Sequence, residues 1–174
     1  MNTDRNKDLE LTIKQYGNLI YRTSFIMLRN AHDAEDVMQE TFYKYMLNEK
    51  PFNDEEHKKA WLLSVSQNKC RNILKYKKIH PYMSFEDVEE TLLGEQPSNK
   101  EDIEEILKIS NLSYEYKSVV MLYYFEDYSS EEVAEILNST PSAVRKRLQR
   151  AREKLKIAYE KINKEGGDSY EFKR

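Results

Sequence analysis

The stretch YSSEEVAEILNSTPSAVRKRLQRAREKL, Tyr128–Leu155, contains the start and stop signals of two helices joined by a tight turn. Ser129, with a Glu three positions later, forms a capping box in which each side chain satisfies a backbone N–H at the helix start. Asn138 follows the apolar residues and is one of the few residue types that tolerate a left-handed conformation. Thr140 can cap the next helix, and Pro141 suits its first turn. The stretch therefore predicts a helix-turn-helix.

The second helix of this motif has one apolar stripe and one basic face. At about 100° per residue, four apolar side chains fall on a stripe that would face the domain core: Val144, Leu148, Ala151 and Leu155. The opposite face carries polar side chains that could reach DNA, namely Ser142, Arg145, Lys146 and Gln149, with Arg150 and Arg152 at its edges. Arg and Gln can donate to base edges in the major groove, whereas Lys and the flanking Arg suit phosphates. The face predicts DNA binding, and a basic surface that is merely solvated is the alternative.

Composition extends the helical prediction to the whole chain. The 174 residues include only four Gly and four Pro, and 34% are charged, which favours an all-α fold. The single cysteine, Cys70, excludes an internal disulfide, and the three histidines have no metal-ligand spacing. No signal peptide is evident, and no apolar run approaches the ~20 residues that span a membrane. We expect a cytoplasmic protein without a metal or other cofactor.

Charge is segregated along the chain, although the formal net charge is only -3. Residues 84–105 hold a single Lys among many acids and separate the basic stretch Asn68–Lys78 from the basic helix of the motif. Prolines punctuate these blocks and disfavour helical geometry in the residue before them. The pattern predicts two small helical domains joined by an acidic linker, with these ranges: first domain 8–79, linker 80–106, second domain 107–163 and polar tail 164–174.

The first domain has three segments of helical length. They are YGNLIYRTSFIMLRN (16–30), AEDVMQETFYKYML (34–47) and EEHKKAWLLSVSQNKCRNILKYKK (55–78). Asp33 is a possible N-cap of the second segment, whose early acidic residues complement the helix dipole. The third segment begins acidic and ends basic. Trp61, in its first half, is expected to be a core residue.

Three segments together resemble the extracytoplasmic-function sigma factors of bacterial RNA polymerase. They are DAEDVMQETF (33–42), AWLLSVSQNKCRNILK (60–75) and the helix-turn-helix stretch, in the same order and with an acidic connector between the last two. The resemblance covers nearly all of the chain from Tyr16 to Leu155. It implies a non-enzymatic subunit that binds core polymerase, recognises promoter DNA and assists promoter opening. An anti-sigma factor is a further partner that the resemblance suggests.

The resemblance also implies a role for particular residues. The acidic helix would dock on a coiled coil of the polymerase clamp through Asp36, Gln39, Glu40 and Phe42. The segment 52–58 would capture an unstacked base of the minus-ten element, and the following helix would track the DNA backbone; the residues concerned are Phe52, Asn53, Lys58, Asn68, Arg71, Lys75, Lys77 and Lys78. The helix-turn-helix would bind the minus-thirty-five element and touch the polymerase flap.

Two other functions remain as alternatives. A self-sufficient helix-turn-helix repressor or activator would normally need a dimer interface, and the sequence offers no heptad repeat for one. A helical adaptor that binds only proteins would not need the basic helix face. The sequence contains no phosphate-binding loop and no nucleophile motif, so it gives no indication of an enzyme.

Overall fold

The computed structural model describes residues 2–81, 107 and 111–166. Throughout these ranges the regular secondary structure is helical, which agrees with the predicted all-α class. No helix within the described ranges is long and apolar enough to cross a membrane. Nearly all of the predicted linker, 80–106, lies outside the described residues.

The first half of the chain forms a unit of three helices. They are α1 (Asn2–Leu28), α2 (Ala31–Leu47) and α3 (Glu55–Ile79). The N-cap of α2 is Asn30 and not Asp33, because the Asn30 side chain accepts a 2.9 Å hydrogen bond from the Asp33 backbone N–H. Asp54 caps α3 in the same way and accepts a 2.7 Å bond from His57. The Asp54 cap thus fixes the point at which the connection between α2 and α3 ends and α3 begins.

The second unit is also helical but contains one irregular turn. Its elements are α4 (Tyr114–Val120), a π-helical turn (Met121–Phe125), α5 (Ser130–Ile136) and α6 (Pro141–Gly166). The segment YEYKSVVMLYYFED, 114–127, is too long for a strand and lacks alternation, so its sequence predicts one continuous helix. The structure differs because the Glu126 N–H donates to the Met121 carbonyl at 3.2 Å, five residues back, and Asp127 then turns the chain with a φ of 57°.

The predicted helix-turn-helix is present as α5 and α6. Ser129 and Glu132 form the capping box of α5, and Asn138 adopts a left-handed φ of 50° in the turn. The Thr140 hydroxyl accepts a 3.2 Å bond from the Ala143 N–H at the start of α6. These local signals explain why α5 ends and α6 begins within a tight turn.

Each unit buries an apolar stripe from each of its helices. In the first unit Ile20, Ile26, Val37, Leu62 and Leu63 are fully buried. In the second unit the predicted stripe of α6 is confirmed, since Val144, Leu148, Ala151 and Leu155 are at most 3% exposed. Burial of a side chain of this size contributes roughly 1.5–3 kcal/mol, so these stripes fix which face of each helix remains outside.

The two units share one cluster of buried apolar side chains, and polar groups also join them. The Lys59 ammonium lies 2.9 Å from the Glu126 carboxylate, and both side chains are largely buried. The Tyr114 hydroxyl donates to the Gln67 carbonyl at 3.0 Å. The Lys117 ammonium, on α4, donates to the carbonyl of Ile26 at the end of α1 at 3.4 Å. These contacts hold α4 and the π-helical turn against α1 and α3.

Candidate nucleic-acid interface

The N-terminal half of α6 presents a continuous polar face to solvent. Ser142, Arg145, Lys146, Gln149 and Arg150 are all exposed, while the buried stripe holds the opposite side of the helix on α5. Five of the six predicted side chains are thus brought together on one accessible surface. Because α6 begins directly after a tight turn, the first turns of the helix project from the unit. This surface can therefore enter a major groove, which is wide enough for an α-helix.

Acidic neighbours occupy two donors of this face in the absence of DNA. The Arg145 guanidinium lies 3.0 Å from the Glu131 carboxylate on α5. The Gln149 amide donates to Glu153 at 3.4 Å. These groups are exposed, so the interactions are weak enough to exchange for base or phosphate contacts.

Arg152, the sixth predicted DNA contact, is turned away from the start of α6. Its Nε donates to the Tyr124 hydroxyl, and its guanidinium lies 5.7 Å from the centroid of that ring. The π-helical turn places Tyr124 at this position. Arg152 thus lies at the edge of the surface and is suited to a phosphate more than to a base.

One face of α3 carries four of the predicted minus-ten side chains. Asn68, Arg71, Lys75 and Lys78 recur at intervals of three or four residues and share this side of the helix. Arg71 donates to the Asn68 side-chain oxygen at 2.7 Å, whereas Lys75 and Lys78 are exposed. Their shared side has positive charge without an acid of its own, which suits a phosphate backbone.

Two other predicted lysines lie off this face. Lys77 forms an ion pair with Asp33 of α2. Lys58 lies 2.7 Å from Glu55, and this hydrogen bond raises the pKa of the Lys58 ammonium above its usual value. Both ammonium groups are largely shielded from solvent and serve contacts within the protein.

The connection between α2 and α3 carries a cluster of aromatic rings. Phe52 stacks on Tyr45 with ring centroids 5.9 Å apart and packs edge-on against Trp61 at 5.6 Å. His57 contacts the same Phe52 ring at 5.4 Å. Asn53 is exposed beside this cluster. A half-buried ring at a loop tip, with a polar neighbour, could stack on an unstacked base.

The outer side of α2 is an acidic stripe. Asp36 and Gln39 are exposed, and Glu40 lies between Lys44 of α2 and Lys69 of α3. The hydrogen bond from Lys69 holds the pKa of the Glu40 carboxyl below its usual value, so it stays ionised. Of the two predicted acids, Asp36 is the less engaged, with a side chain that is 53% exposed.

The apolar residues of this stripe differ from the one that was expected. Phe42 was predicted for the surface, but its side chain is 5% exposed and lies in the core, because its position points about 120° away from Asp36 around the helix. Tyr43 and Leu47 continue the stripe instead and are 58% and 55% exposed. Their spacing of seven and eleven residues from Asp36 is the signal that would have identified them in the sequence.

The described residues contain neither a candidate metal cluster nor a second cysteine. No group of three His, Cys, Asp or Glu within them could hold a metal ion. Cys70 is buried, and burial raises the pKa of its thiol to about 12.

Comparison with family models matches both units. Residues 12–78 match the Sigma-70 region 2 family, and residues 105–155 match the Sigma-70, region 4 family. The first range spans most of α1 to α3, and the second ends within α6. The two matches therefore contain the acidic stripe, the connection, the α3 face and the helix-turn-helix.

Curated bacterial proteins and solved structures are similar over most of the chain. RNA polymerase sigma factor SigV of Bacillus subtilis is 30% identical over 138 residues, which cover 79% of this chain and 82% of the relative. ECF RNA polymerase sigma factor SigW of the same organism is 28% identical, with 81% and 83% covered. The sigma factor RpoE of Bartonella quintana, solved in complex with the anti-sigma factor NepR, superposes with a TM-score of 0.70 at 18% identity and covers 88% of this chain and 98% of its own. The last similarity concerns the fold alone.

Proposed function

The chain belongs to the extracytoplasmic-function sigma factors of the sigma-70 family, and from that membership we propose how its surfaces divide the work of initiation. It is a non-enzymatic transcription factor that acts in promoter recognition and transcription initiation by RNA polymerase. One observation carries this function. The two family matches coincide with the two helical units, and these units expose an acidic stripe on α2 and basic faces on α3 and α6.

The polar face of α6 binds the minus-thirty-five element in our proposal. Arg145 and Gln149 have the donor geometry to reach base edges, and Lys146, Arg150 and Arg152 neutralise phosphates. Support comes from the exposure of the face and from its position at the start of the second helix of the helix-turn-helix. The same unit would also touch the polymerase flap.

The α2–α3 connection and the α3 face bind the minus-ten region in our proposal. Phe52 and Asn53 hold an unstacked base, while Asn68, Arg71, Lys75 and Lys78 follow the adjacent backbone. Lys58 and Lys77 are bound to acids of this chain, so we assign them to holding the connection and α3 in place.

The acidic stripe of α2 docks on the clamp coiled coil of core polymerase in our proposal. The polar contacts come from Asp36, Gln39 and Glu40. Tyr43 and Leu47 expose apolar area beside them, and exposed apolar area of this kind marks a binding surface. Phe42 contributes indirectly, because it packs α2 against the core.

Charge reversal on the stripe tests this assignment. We expect Asp36→Arg to weaken association with core polymerase at least about tenfold, because a like charge at an interface costs several kcal/mol. Association is measured by anisotropy of the labelled full-length chain, and transcription is measured with the same mixture. Glu10→Arg, on α1, is the control for net charge. Equal binding by the two variants would contradict the docking surface.

Two further assignments follow from family membership. Because the chain acts with RNA polymerase, we place it in the bacterial cytoplasm. We also propose that an anti-sigma factor binds it. RpoE, which has a similar fold, was solved with the anti-sigma factor NepR. CnrH, a second chain of similar fold, was solved with the cytosolic domain of CnrY. Removal of a candidate anti-sigma factor from the native cell should raise transcription from promoters that depend on this chain, and unchanged transcription would contradict the pairing.

A further inference from the structure

One face of α1 bonds to both ends of the α2–α3 connection. The Arg5 guanidinium donates to the Asn48 carbonyl at 3.2 Å, where α2 has just ended. Farther along α1, the Tyr16 hydroxyl donates to the Glu55 carboxylate at 3.0 Å, where α3 begins. We call Arg5, Asp8, Thr12 and Tyr16 the α1 polar face, because they recur every three or four residues on one side of the helix.

The middle of the α1 polar face holds Tyr45. The Tyr45 hydroxyl donates to the Asp8 carboxylate at 2.6 Å and accepts from the Thr12 hydroxyl at 3.2 Å. Tyr45 is only 8% exposed, and its phenol pKa is raised by burial and by Asp8. A hydrogen bond to an ionised carboxylate is roughly twice as strong as a neutral one, so Asp8 fixes the position of this ring.

Tyr45 in turn determines where Phe52 lies. The two rings are stacked with an interplanar angle of 13°. Trp61 packs edge-on against both of them, at 6.4 Å from Tyr45 and 5.6 Å from Phe52. A shift of Tyr45 would therefore displace the Phe52 ring or leave a void beside it.

An open cleft lies between α1 and the connection. It has a volume of about 260 Å³ and is lined on one side by Arg5, Asp8 and Leu9 and on the other by residues from Tyr45 to Phe52. Arg5 and Asp8 line this cleft and form their hydrogen bonds across it. The hydrogen bonds of the α1 polar face span the gap.

The first two turns of α1 also lie outside the family match, which begins at residue 12. Arg5 and Asp8 thus contact the connection from residues that precede the match.

We propose that Asp8, assisted by Arg5, is a positioning residue for capture of the unstacked minus-ten base. It acts through Tyr45, on which the Phe52 ring stacks. This proposal rests on the function proposed above for Phe52 and Asn53. Asp8 itself touches no DNA, so its effect is confined to the step in which the base leaves the stack.

The test is fluorescence of a 2-aminopurine placed at the captured position of a promoter that the chain uses. The full-length chain is bound to core polymerase, and the fraction of unstacked base is measured in the bound complex. We expect Asp8→Ala to lower the unstacking equilibrium about tenfold, the effect of losing one charge-assisted hydrogen bond. Tyr45→Phe should lower it at least as much, because it also removes the bond from Thr12. The double variant should lose no more than Tyr45→Phe alone, because that change already removes the bond to Asp8.

Matched variants separate positioning from charge and from folding. Asp4→Ala removes the same charge from an exposed position of α1 and should leave unstacking unchanged. Asp8→Asn keeps an oxygen acceptor and should retain more activity than Asp8→Ala, whereas an effect of net charge alone would make the two equal. Binding to core polymerase and to a minus-thirty-five duplex should be unchanged in all of them. If Asp8→Ala lowers the helical content, Tyr45→Phe, which keeps the ring, decides.

The outcomes distinguish this proposal from its premise. If Phe52→Ala leaves 2-aminopurine stacking unaltered, the connection does not capture the base, and the function proposed for it fails. If Phe52→Ala reduces unstacking while Asp8→Ala and Tyr45→Phe match Asp4→Ala, the connection works without the α1 polar face and the positioning role is overturned.

Discussion

Arg145 lies against an acid of its own protein while DNA is absent. The pair with Glu131 is 3.0 Å long, and both side chains are more than half exposed, so it is worth at most about 1 kcal/mol. We expect Arg145→Ala to lower promoter use by roughly 5- to 150-fold, because one bidentate contact to guanine discriminates by about 1–3 kcal/mol. Transcription is measured on templates that vary each base of the minus-thirty-five element, and the preference at one position should disappear.

Arg145→Lys is the matched variant for this prediction. It keeps the charge but loses the planar fork, so we expect overall affinity to recover while the preference for that base does not. If Arg145→Ala instead weakens all templates equally, the side chain contacts a phosphate and does not contact a base.

On α6 the sequence predicts which side chains point outward, but it does not predict which of them bond to other side chains. Helical periodicity alone places Arg145, Lys146 and Gln149 on one face. The partner of Arg152 is Tyr124, 28 residues earlier, and it is in reach only because of the π-helical turn. Such contacts depend on how distant elements pack, which a local pattern does not contain.

At the scale of elements, two serines at helix starts provide a matched pair. Ser129 caps α5 and bonds to the Glu132 N–H, whereas Ser113 stands at the same position of α4 without a side-chain cap bond. We expect Ser129→Ala to lower the free energy of unfolding by about 1 kcal/mol, because it leaves a backbone donor without its partner. Ser113→Ala should cost much less. Denaturant unfolding of both full-length variants checks this, and equal losses would contradict a specific contribution from the capping box.

Helix ends were predictable where their signals are local. The start of α5, the Asn138 turn and the start of α6 each follow from side chains within three residues of the backbone groups that they satisfy. The first helix was predicted only from Tyr16, yet α1 begins at Asn2. Its early turns have little apolar periodicity, so a local pattern does not indicate a helix there. Arg5 and Asp8 hold these turns through polar contacts with residues about forty positions away.

At the scale of the molecule, the contacts between the units conflict with the length of a promoter. The minus-ten and minus-thirty-five elements are about 25 base pairs apart, which is roughly 85 Å at about 3.4 Å per base pair. A compact chain of 174 residues is only roughly 40 Å across. We therefore expect the contacts Lys59–Glu126, Tyr114–Gln67 and Lys117–Ile26 to break when both units are on the promoter.

Lys117 makes this separation easier, because its ammonium is buried in the packed arrangement with one long hydrogen bond. Burial, with repulsion from Arg29, lowers its pKa from 10.5 to about 8. Below pH 8 the charged group therefore destabilises the packed arrangement by about 3 kcal/mol relative to a lysine in water. The penalty declines as pH rises from about 8 towards 10.5, because the packed state then loses the proton first. Tyr114 and Tyr128, also at this interface, have pKa values raised by burial and stay protonated over this range.

Replacement of Lys117 by Met should therefore favour the packed arrangement at neutral pH. Energy transfer between dyes at Lys14→Cys and Glu135→Cys measures the packing, since both positions are exposed. Cys70 is replaced by Ser in these chains, because it lies near Tyr114 of the second unit and separation of the units would uncover its thiol. We expect higher transfer and slower initiation for Lys117→Met at pH 7, with Lys7→Met as the control. Transfer in the unsubstituted chain should rise between pH 7.5 and about 9.5, and transfer in Lys117→Met should not. Unchanged transfer in Lys117→Met at pH 7 would show that the buried ammonium does not set the balance between packed and separated units.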